Sequence, residues 1–150
     1  DDVTILTTGI MTEEAMRAVS VLQQRDLSIS HVHISTLKPF DDRTVMDAIA
    51  KSRFGVITME NHTVIGGLGS IIAEQMAEQG LNKRLVRIGL RDTFAHGASK
   101  RYLFKKYRMD AMAMIDEIEG LLRSRFDVSE EELATAKITA RHRAAKAEAR

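Results

Sequence analysis

Three polar side chains follow an apolar, strand-like segment and are the residues best suited to acid-base or ligand chemistry. Glu60, Asn61 and His62 provide a carboxylate, an amide and an imidazole directly after the apolar run 54–59. Such groups can move protons or hold a ligand when they lie at the carboxyl end of a strand. The sequence fixes no nucleophile, metal-ligand cluster or second carboxylate beside them. A hydrogen-bonding or interface role is therefore favoured over catalysis.

A glycine-rich turn follows these residues and precedes an amphipathic helix. It contains Gly66, Gly67, Gly69 and Ser70. Exposed amides at the start of a helix can bind a phosphate group. The turn lacks the Lys-Ser or Lys-Thr pair of a Walker loop, and its glycine spacing does not fit a dinucleotide fingerprint. A tight turn that lets strand and helix pack closely is favoured, with an anion site as the alternative.

Three further histidines and one basic segment are candidates for metal, interface or nucleic-acid contacts. His31 and His33 lie two residues apart on one predicted strand face, but no third metal ligand is evident, so sheet-face histidines are favoured. His96, in a polar loop, is a candidate for surface or interface contacts. Residues 100–108 mix basic and aromatic side chains, a pattern that can bind RNA. The inward face of a short helix explains the aromatics more simply, so no nucleic-acid partner is expected.

The elements that position these residues alternate between strand and helix. Apolar runs predict four strands, at residues 3–8, 29–36, 54–59 and 85–90. Thr12 and Asp41 are predicted to cap the first two helices, and Gly80 to end the third. Right-handed crossovers then predict a three-layer α/β/α sandwich around a mainly parallel four-stranded sheet in the order 2-1-3-4. In this order, residues 8–10 face residues 60–62 across a crevice.

Composition limits the classes of function. The 150 residues are 44% hydrophobic and suit one globular core, and a net charge of +1 gives no general attraction to nucleic acid or anionic membranes. Without cysteine the chain forms no disulfide or thiolate site, which is compatible with the cytoplasmic location that we expect. No apolar run approaches the ~20 residues that span a bilayer, so no membrane contact is expected. Because Asp1 lies almost directly before a strand, we expect a piece of a longer protein.

The character of the chain changes after Phe126. We expect an α/β domain at residues 3–126 and a basic, alanine-rich helical tail at 127–150. Ser129 and Glu132 have the spacing of a capping box, which predicts that the tail helix begins there. Residues 137–150 contain little to bury, so we expect this part to fray or to dock on a partner.

Several segments, taken in order, resemble the C-terminal domain of the transketolase family over about residues 3–122. They are residues 3–6 with Gly9, residues 35–41, 58–62, 64–70 and 87–90 with Asp92 and Phe94, and residues 106–107 and 109–111. The Leu-Lys-Pro and Gly-Gly-Leu-Gly-Ser segments are specific in combination, and the second is most similar to bacterial transketolases split into two polypeptides. The chain departs from the family at residues 96–99, usually Ser-Gly-Ser-Pro, and at Arg108, usually glycine.

The resemblance implies an enzyme that uses thiamine diphosphate and magnesium to transfer a two-carbon ketol unit between sugar phosphates. In this family the pyrimidine and diphosphate domains, or an N-terminal subunit, supply the cofactor and metal sites. The chain has no Gly-Asp-Gly metal motif. The resemblance therefore implies no catalytic, cofactor-binding or metal residue here, and a domain that is inactive alone and helps to assemble a homodimer or heterotetramer. Family sheets also carry an antiparallel edge strand that this chain lacks, so we expect strand two to be an exposed or otherwise covered edge.

Three alternatives stay open. The same fold occurs in the C-terminal domain of 2-oxo-acid dehydrogenase beta subunits and of deoxyxylulose-phosphate synthases. The second alternative is a protein of another class, a non-catalytic module that binds a phosphorylated metabolite at the glycine turn. The third alternative is RNA binding through residues 100–108 or the tail, which requires an affinity that falls steeply with salt.

Overall fold

The computed structural model describes residues 1–138 and contains one four-stranded sheet. Its strands are β1 (Val3–Thr7), β2 (Ile29–His33), β3 (Gly55–Thr63) and β4 (Leu85–Leu90). Neighbouring strands pair in parallel in the order β2-β1-β3-β4. The predicted α/β class and strand order are confirmed. The carboxyl ends of the strands, and the loops that follow them, therefore meet at one edge of the sheet.

Six helices accompany this sheet in the described residues. They are α1 (Met11–Gln23), α2 (Arg43–Lys51), α3 (Leu68–Glu78), α4 (Lys100–Lys106), α5 (Ala111–Leu122) and α6 (Glu130–Thr135). Within residues 1–138 none of them is long and apolar enough to cross a membrane.

The sheet separates two hydrophobic cores. Successive strand side chains point to opposite faces, so Val3 and Ile5 of β1 pack with α1, α4 and α5, whereas Leu6 packs with α2 and α3. Both faces of β1 and the first six residues of β3 are buried. Helices on both sides of this parallel sheet, whose central strands are buried, give the predicted three-layer sandwich.

Two predicted helix caps are wrong. α1 begins at Met11 after Ile10, which makes no side-chain cap, and the Thr12 hydroxyl bonds Thr7 instead. Asp42, rather than Asp41, caps α2 by accepting a hydrogen bond from the amide of Thr44 at 2.9 Å. The adjacent acids are alike in sequence, and only the path of the chain decides which one reaches the helix amides.

Two strand ends also differ from prediction. β2 stops at His33, three residues early, because its pairing with β1 ends at Thr7. β3 continues beyond the predicted end at residue 59 as far as Thr63, through a shift of its register with β4 between Met59 and Thr63. Glu60, Asn61 and His62 are therefore strand residues beyond the last pair with β1 rather than the start of a loop.

The first part of the predicted tail packs on the α1 side of the molecule. Ser129 caps α6 by accepting a hydrogen bond from the Glu132 amide at 3.2 Å, as predicted. Leu133 is buried in the core that α1 and α5 line. Arg25 donates to the carbonyl of Phe126 at 2.9 Å and pairs with Glu132 at 2.8 Å. The division at residue 126 stays a prediction, and the expected fraying or docking of residues 137–150 falls almost wholly outside the described residues.

Candidate functional site

Glu60 is a buried charged residue among the predicted site residues, and it holds the start of α3. Its side chain is 2% exposed. One carboxylate oxygen accepts a hydrogen bond from the amide of Leu68 at 2.8 Å, and the other from the amide of Gly69 at 2.9 Å. A negative charge at a helix amino terminus is also favoured by the helix dipole. Glu60 thus occupies the amides that a bound phosphate would use.

The glycine turn is shaped by this carboxylate. A Cβ atom on Gly67 would overlap the Glu60 carboxyl group, so only glycine leaves room for the contact. Gly66 has a φ of +74°, a backbone conformation that favours glycine. Ser70 accepts a hydrogen bond from the Gly66 amide at 2.9 Å and donates one to the carbonyl of Val64 at 3.0 Å. The structure thus brings Glu60, the three glycines and Ser70 into one hydrogen-bonded turn.

Asn61 and His62 lie beside this turn with exposed side chains. The Asn61 side chain lies close to Gly9, in the segment that follows β1. A Cβ atom on Gly9 would be 3.3 Å from Asn61 Oδ1. Thr8 donates its amide to the carbonyl of Met59 at 3.3 Å and ties the two segments together. The segments after β1 and β3 therefore meet as the strand order predicts, and the crevice between them stays a prediction.

Two threonines and two histidines form a hydrogen-bonded chain at the neighbouring strand ends. Thr7 Oγ1 lies 2.9 Å from His31 Nε2 and 3.0 Å from Thr12 Oγ1, which lies 2.7 Å from His33 Nδ1. Burial, together with the nearby His33 charge, lowers the pKa of His31 to about 4. His31 is therefore a neutral, structurally bonded imidazole at pH 7. The sequence identified both histidines but missed the threonines, whose role depends on strand register.

His96 lies apart, on the loop after β4. Its ring meets the ring of Tyr102 edge-on, with centroids 5.9 Å apart and planes at 68°. Both residues are exposed. The predicted surface or interface role of His96 is untested, and the turn around Glu60 does not include it.

The described residues do not provide a metal centre. Within residues 1–138, no three His, Asp or Glu side chains are grouped so that they could hold a metal ion. His31 and His33 instead bond Thr7 and Thr12. The magnesium that the resemblance implies for the whole enzyme does not fit any residue group described in this chain.

Large apolar side chains are exposed at the same edge of the sheet. Ile10 follows β1, Ile65 follows β3 and Phe94 follows β4, and their exposed fractions are 47%, 61% and 102%. Because β1, β3 and β4 are adjacent in the sheet, the loops that carry these side chains are neighbours. We call them the strand-end patch. Exposed apolar side chains grouped with Asn61 and His62 are typical of a surface that another protein covers.

The fold and the strand-end residues define an α/β domain in which the carboxylate of Glu60 stabilises the start of α3. Residues 1–114 match the sequence model of the family described as "Transketolase, C-terminal domain". This match covers most of the chain, so the chain belongs to the transketolase C-terminal domain family.

Two curated relatives carry transketolase names. The chain is 39% identical over 118 residues to a "Putative transketolase C-terminal section" of Methanocaldococcus jannaschii. This alignment covers 79% of the chain and 36% of the relative. It is 39% identical over 114 residues to a "6-deoxy-6-sulfo-D-fructose transketolase subunit SqwH" of Clostridium sp., which covers 76% of the chain and 35% of the relative. The chain thus spans about a third of the length of these relatives.

A solved structure and a second type of enzyme are also similar. The structure, described as "Split gene transketolase, inactive beta4 tetramer", has a TM-score of 0.73 and 31% identity over 83% of the chain and 40% of its own length. A 1-deoxy-D-xylulose-5-phosphate synthase of Chlorobium phaeovibrioides is 33% identical over 114 residues, which covers 76% of the chain and 18% of the synthase.

Proposed function

We propose that this chain is the C-terminal domain of a thiamine-diphosphate-dependent, transketolase-like enzyme that transfers a two-carbon ketol unit between sugar phosphates. In this proposal the domain packs on the catalytic domains and helps to assemble the enzyme, and it is inactive alone. The observation that carries the packing role is the exposed strand-end patch. Glu60, a buried carboxylate committed to the amides of Leu68 and Gly69, serves the fold of the domain itself. The family match and the names of the relatives support the type of enzyme.

The Glu60 contact also argues against the rival phosphate-binding module. A phosphate at the glycine turn would compete with a carboxylate that is already seated at 2.8 Å and 2.9 Å from two amides. A phosphate bound to the same amides would lie beside the Glu60 carboxylate, and two negative charges in contact repel strongly in a buried site. The anion alternative for the glycine turn is therefore disfavoured, and its glycines serve the approach of Glu60.

The cofactors belong to other parts of the enzyme in this proposal. The diphosphate domain would hold magnesium and the diphosphate of thiamine, and the pyrimidine domain would supply the activating acid. The partners are then these two domains, or an N-terminal subunit, in a cytoplasmic homodimer or heterotetramer. The strand-end patch, with Asn61 and His62 beside it, is the surface that we assign to these contacts.

The proposal is tested by reconstituting activity. The chain is mixed with the cognate polypeptide that carries the diphosphate and pyrimidine domains, with thiamine diphosphate and magnesium present. We expect ketol transfer in the mixture and none from either polypeptide alone. Ketol transfer by the larger polypeptide alone, at an undiminished rate, would contradict an assembly role for this domain.

The similarity to 1-deoxy-D-xylulose-5-phosphate synthase supports a second candidate within the same fold. The same mixture is therefore also assayed for the condensation of pyruvate with a triose phosphate. Condensation without ketol transfer, from a complex with bound cofactor, would select the synthase. Decarboxylation of a 2-oxo acid onto a lipoyl group would select the dehydrogenase beta subunit.

A further inference from the structure

A line of hydrogen bonds connects an exposed histidine to a partly buried one across the carboxyl ends of β1 and β2. Its members are His33, Thr12, Thr7 and His31 in this order, and their successive polar atoms lie 2.7, 3.0 and 2.9 Å apart. The His33 side chain is exposed, whereas Thr7 is fully buried. We call these residues the Thr–His chain. It links the surface at the strand ends to the interior beside β1.

The three hydrogen bonds of the Thr–His chain fix how many hydrogen atoms it contains. Each bond needs one hydrogen, and each threonine hydroxyl supplies one. The third hydrogen must therefore be on a ring nitrogen, either Nε2 of His31 or Nδ1 of His33. If both nitrogens carried hydrogen, one hydroxyl hydrogen would have no acceptor in the Thr–His chain. If neither did, one contact would have no donor.

Two arrangements satisfy this count when both rings are neutral. In the first, the Nε2–H group of His31 donates to Thr7. The hydroxyl of Thr7 then donates to that of Thr12, which donates to Nδ1 of His33. In the second arrangement, every bond is reversed. The first places the hydrogen on Nε2 of both rings, which is the tautomer that neutral histidine favours in water, so the first is favoured.

Protonation of His33 removes this choice. Its Nδ1 atom then carries a hydrogen and can only donate to Thr12, so every bond in the Thr–His chain takes the reversed direction. His31 must then accept at Nε2 and carry its own hydrogen on Nδ1. The added proton stays on His33, because burial, together with the His33 charge, lowers the pKa of His31 to about 4. His31 thus remains neutral but changes its tautomer.

No carboxylate pairs with either ring in the described residues. Across residues 1–138, no carboxylate oxygen lies within 4.0 Å of a ring nitrogen of the Thr–His chain. β1 has no ionisable side chain, and those of α1 bond elsewhere. Glu13 pairs with Arg17 and Lys100, and Glu14 accepts a hydrogen bond from the first amide of α5. The threonine hydroxyls therefore decide which ring nitrogen carries hydrogen.

We propose that the Thr–His chain is a pH-sensitive switch, in which protonation of His33 at the surface changes the tautomer of His31 beside β1. Thr7 and Thr12 flank residues 8–11, the turn that carries Ile10 of the strand-end patch. The switch therefore lies at the edge of the sheet to which the proposed function assigns assembly. It does not depend on that function or on the type of reaction that the whole enzyme catalyses.

The test is NMR spectroscopy of the full chain with ¹⁵N-labelled histidine. Long-range ¹H–¹⁵N correlations distinguish the two neutral tautomers from the protonated ring. The pH is lowered from about 8 to about 5, a range in which an ordinary histidine titrates and which stays above the pKa of His31. We expect His31 to change from mainly Nε2–H to mainly Nδ1–H, with the same midpoint as the protonation of His33. A His31 ring that keeps one tautomer throughout, or that is itself protonated in this range, would overturn the proposal.

Variants at Thr12 test whether the coupling runs through the hydroxyl groups. Thr12→Val keeps the branched shape but removes the hydroxyl, so the tautomer of His31 should no longer follow the protonation of His33. Thr12→Ser keeps the hydroxyl and should keep the shared midpoint. Thr8→Val is the matched control beside the Thr–His chain, and its amide spectrum, like those of the other variants, shows whether the fold is retained. An unchanged switch in Thr12→Val, or its loss in folded Thr8→Val, would overturn the proposal.

Discussion

At the scale of single residues, the side chain of Glu60 links the end of β3 to the start of α3. Replacing it with alanine would leave the amides of Leu68 and Gly69 without their acceptor and would open a cavity in a buried turn. We expect Glu60→Ala to lower the free energy of unfolding by on the order of 3 kcal/mol. Glu60→Gln, which keeps one acceptor oxygen, should cost about half as much. Urea unfolding followed by circular dichroism measures both.

A neighbouring residue provides the control for this prediction. His62 lies on the same strand with an exposed side chain, so His62→Ala should change the free energy of unfolding by less than about 0.5 kcal/mol. If Glu60→Ala were as stable as His62→Ala, the carboxylate would not be holding α3. The amides of the glycine turn would then be free to bind an anion such as a phosphate group.

His31 should make the stability depend on pH. Burial is the main cause that lowers its pKa to about 4, from 6.5 in the unfolded chain, so the unfolded chain binds more protons between these values. The stabilisation is therefore fully present above pH 6.5 and is lost as the pH falls towards 4. The loss should be on the order of 3 kcal/mol.

The variant His31→Gln separates this effect from that of the carboxylates, which also titrate at low pH. Glutamine can still hydrogen bond to Thr7 but does not titrate. We expect the free energy of unfolding of the wild type to fall more steeply than that of the variant between pH 6.5 and 5. Parallel pH profiles would mean that His31 is protonated as easily in the folded protein as in the unfolded chain.

At the scale of secondary structure, hydrophobic patterning was sufficient to predict the alternation of strands and helices. The cap at Ser129 was also predictable, because its hydroxyl stands three residues before the Glu132 amide that it bonds. Asp41 and Asp42 could not be told apart by type or spacing. The extension of β3 to Thr63 depends on a register shift against β4, which no single strand's sequence encodes.

The candidate site was predictable in its members but not in its contacts. Residues 60–70 were identified because a polar strand end meets a glycine turn. The contact of Glu60 with two helix amides was not identified, since a carboxylate before glycines is equally typical of a ligand site.

α6 is short and depends on packing against α1. Six residues do not form a stable helix alone, so its stability comes from the Ser129 cap and from Leu133. We expect Leu133→Ala to lower the free energy of unfolding by about 2–3 kcal/mol. The exposed neighbour Glu131→Gln should change it by less than about 0.5 kcal/mol. Equal chemical denaturation curves for both variants would show that α6 is not part of the cooperative unit.

At the scale of the whole molecule, a hydrophobic core covers each face of the sheet, whereas the strand-end patch leaves apolar side chains exposed beside Asn61 and His62. The core stabilises the fold without help from the strand-end patch, because Ile65 and Phe94 are mostly exposed. Exposed apolar area of this kind costs solubility and is compensated only when another surface covers it. The patch therefore does not carry the fold, and under the proposed function it serves assembly, which leads to a test that separates the two.

Under the proposed function, the double variant Ile65→Ser and Phe94→Ser should bind the cognate catalytic polypeptide at least about tenfold more weakly, because central apolar contacts carry most of an interface's binding energy. The isolated variant should unfold at the same urea concentration as the wild type, since both side chains are exposed. Phe54→Ser is the matched control, because Phe54 is 41% exposed before the amino end of β3, at the opposite edge of the sheet. Sedimentation velocity of the mixtures measures the affinities. Equal weakening by Phe54→Ser, or none by the double variant, would move the assembly surface away from the strand ends.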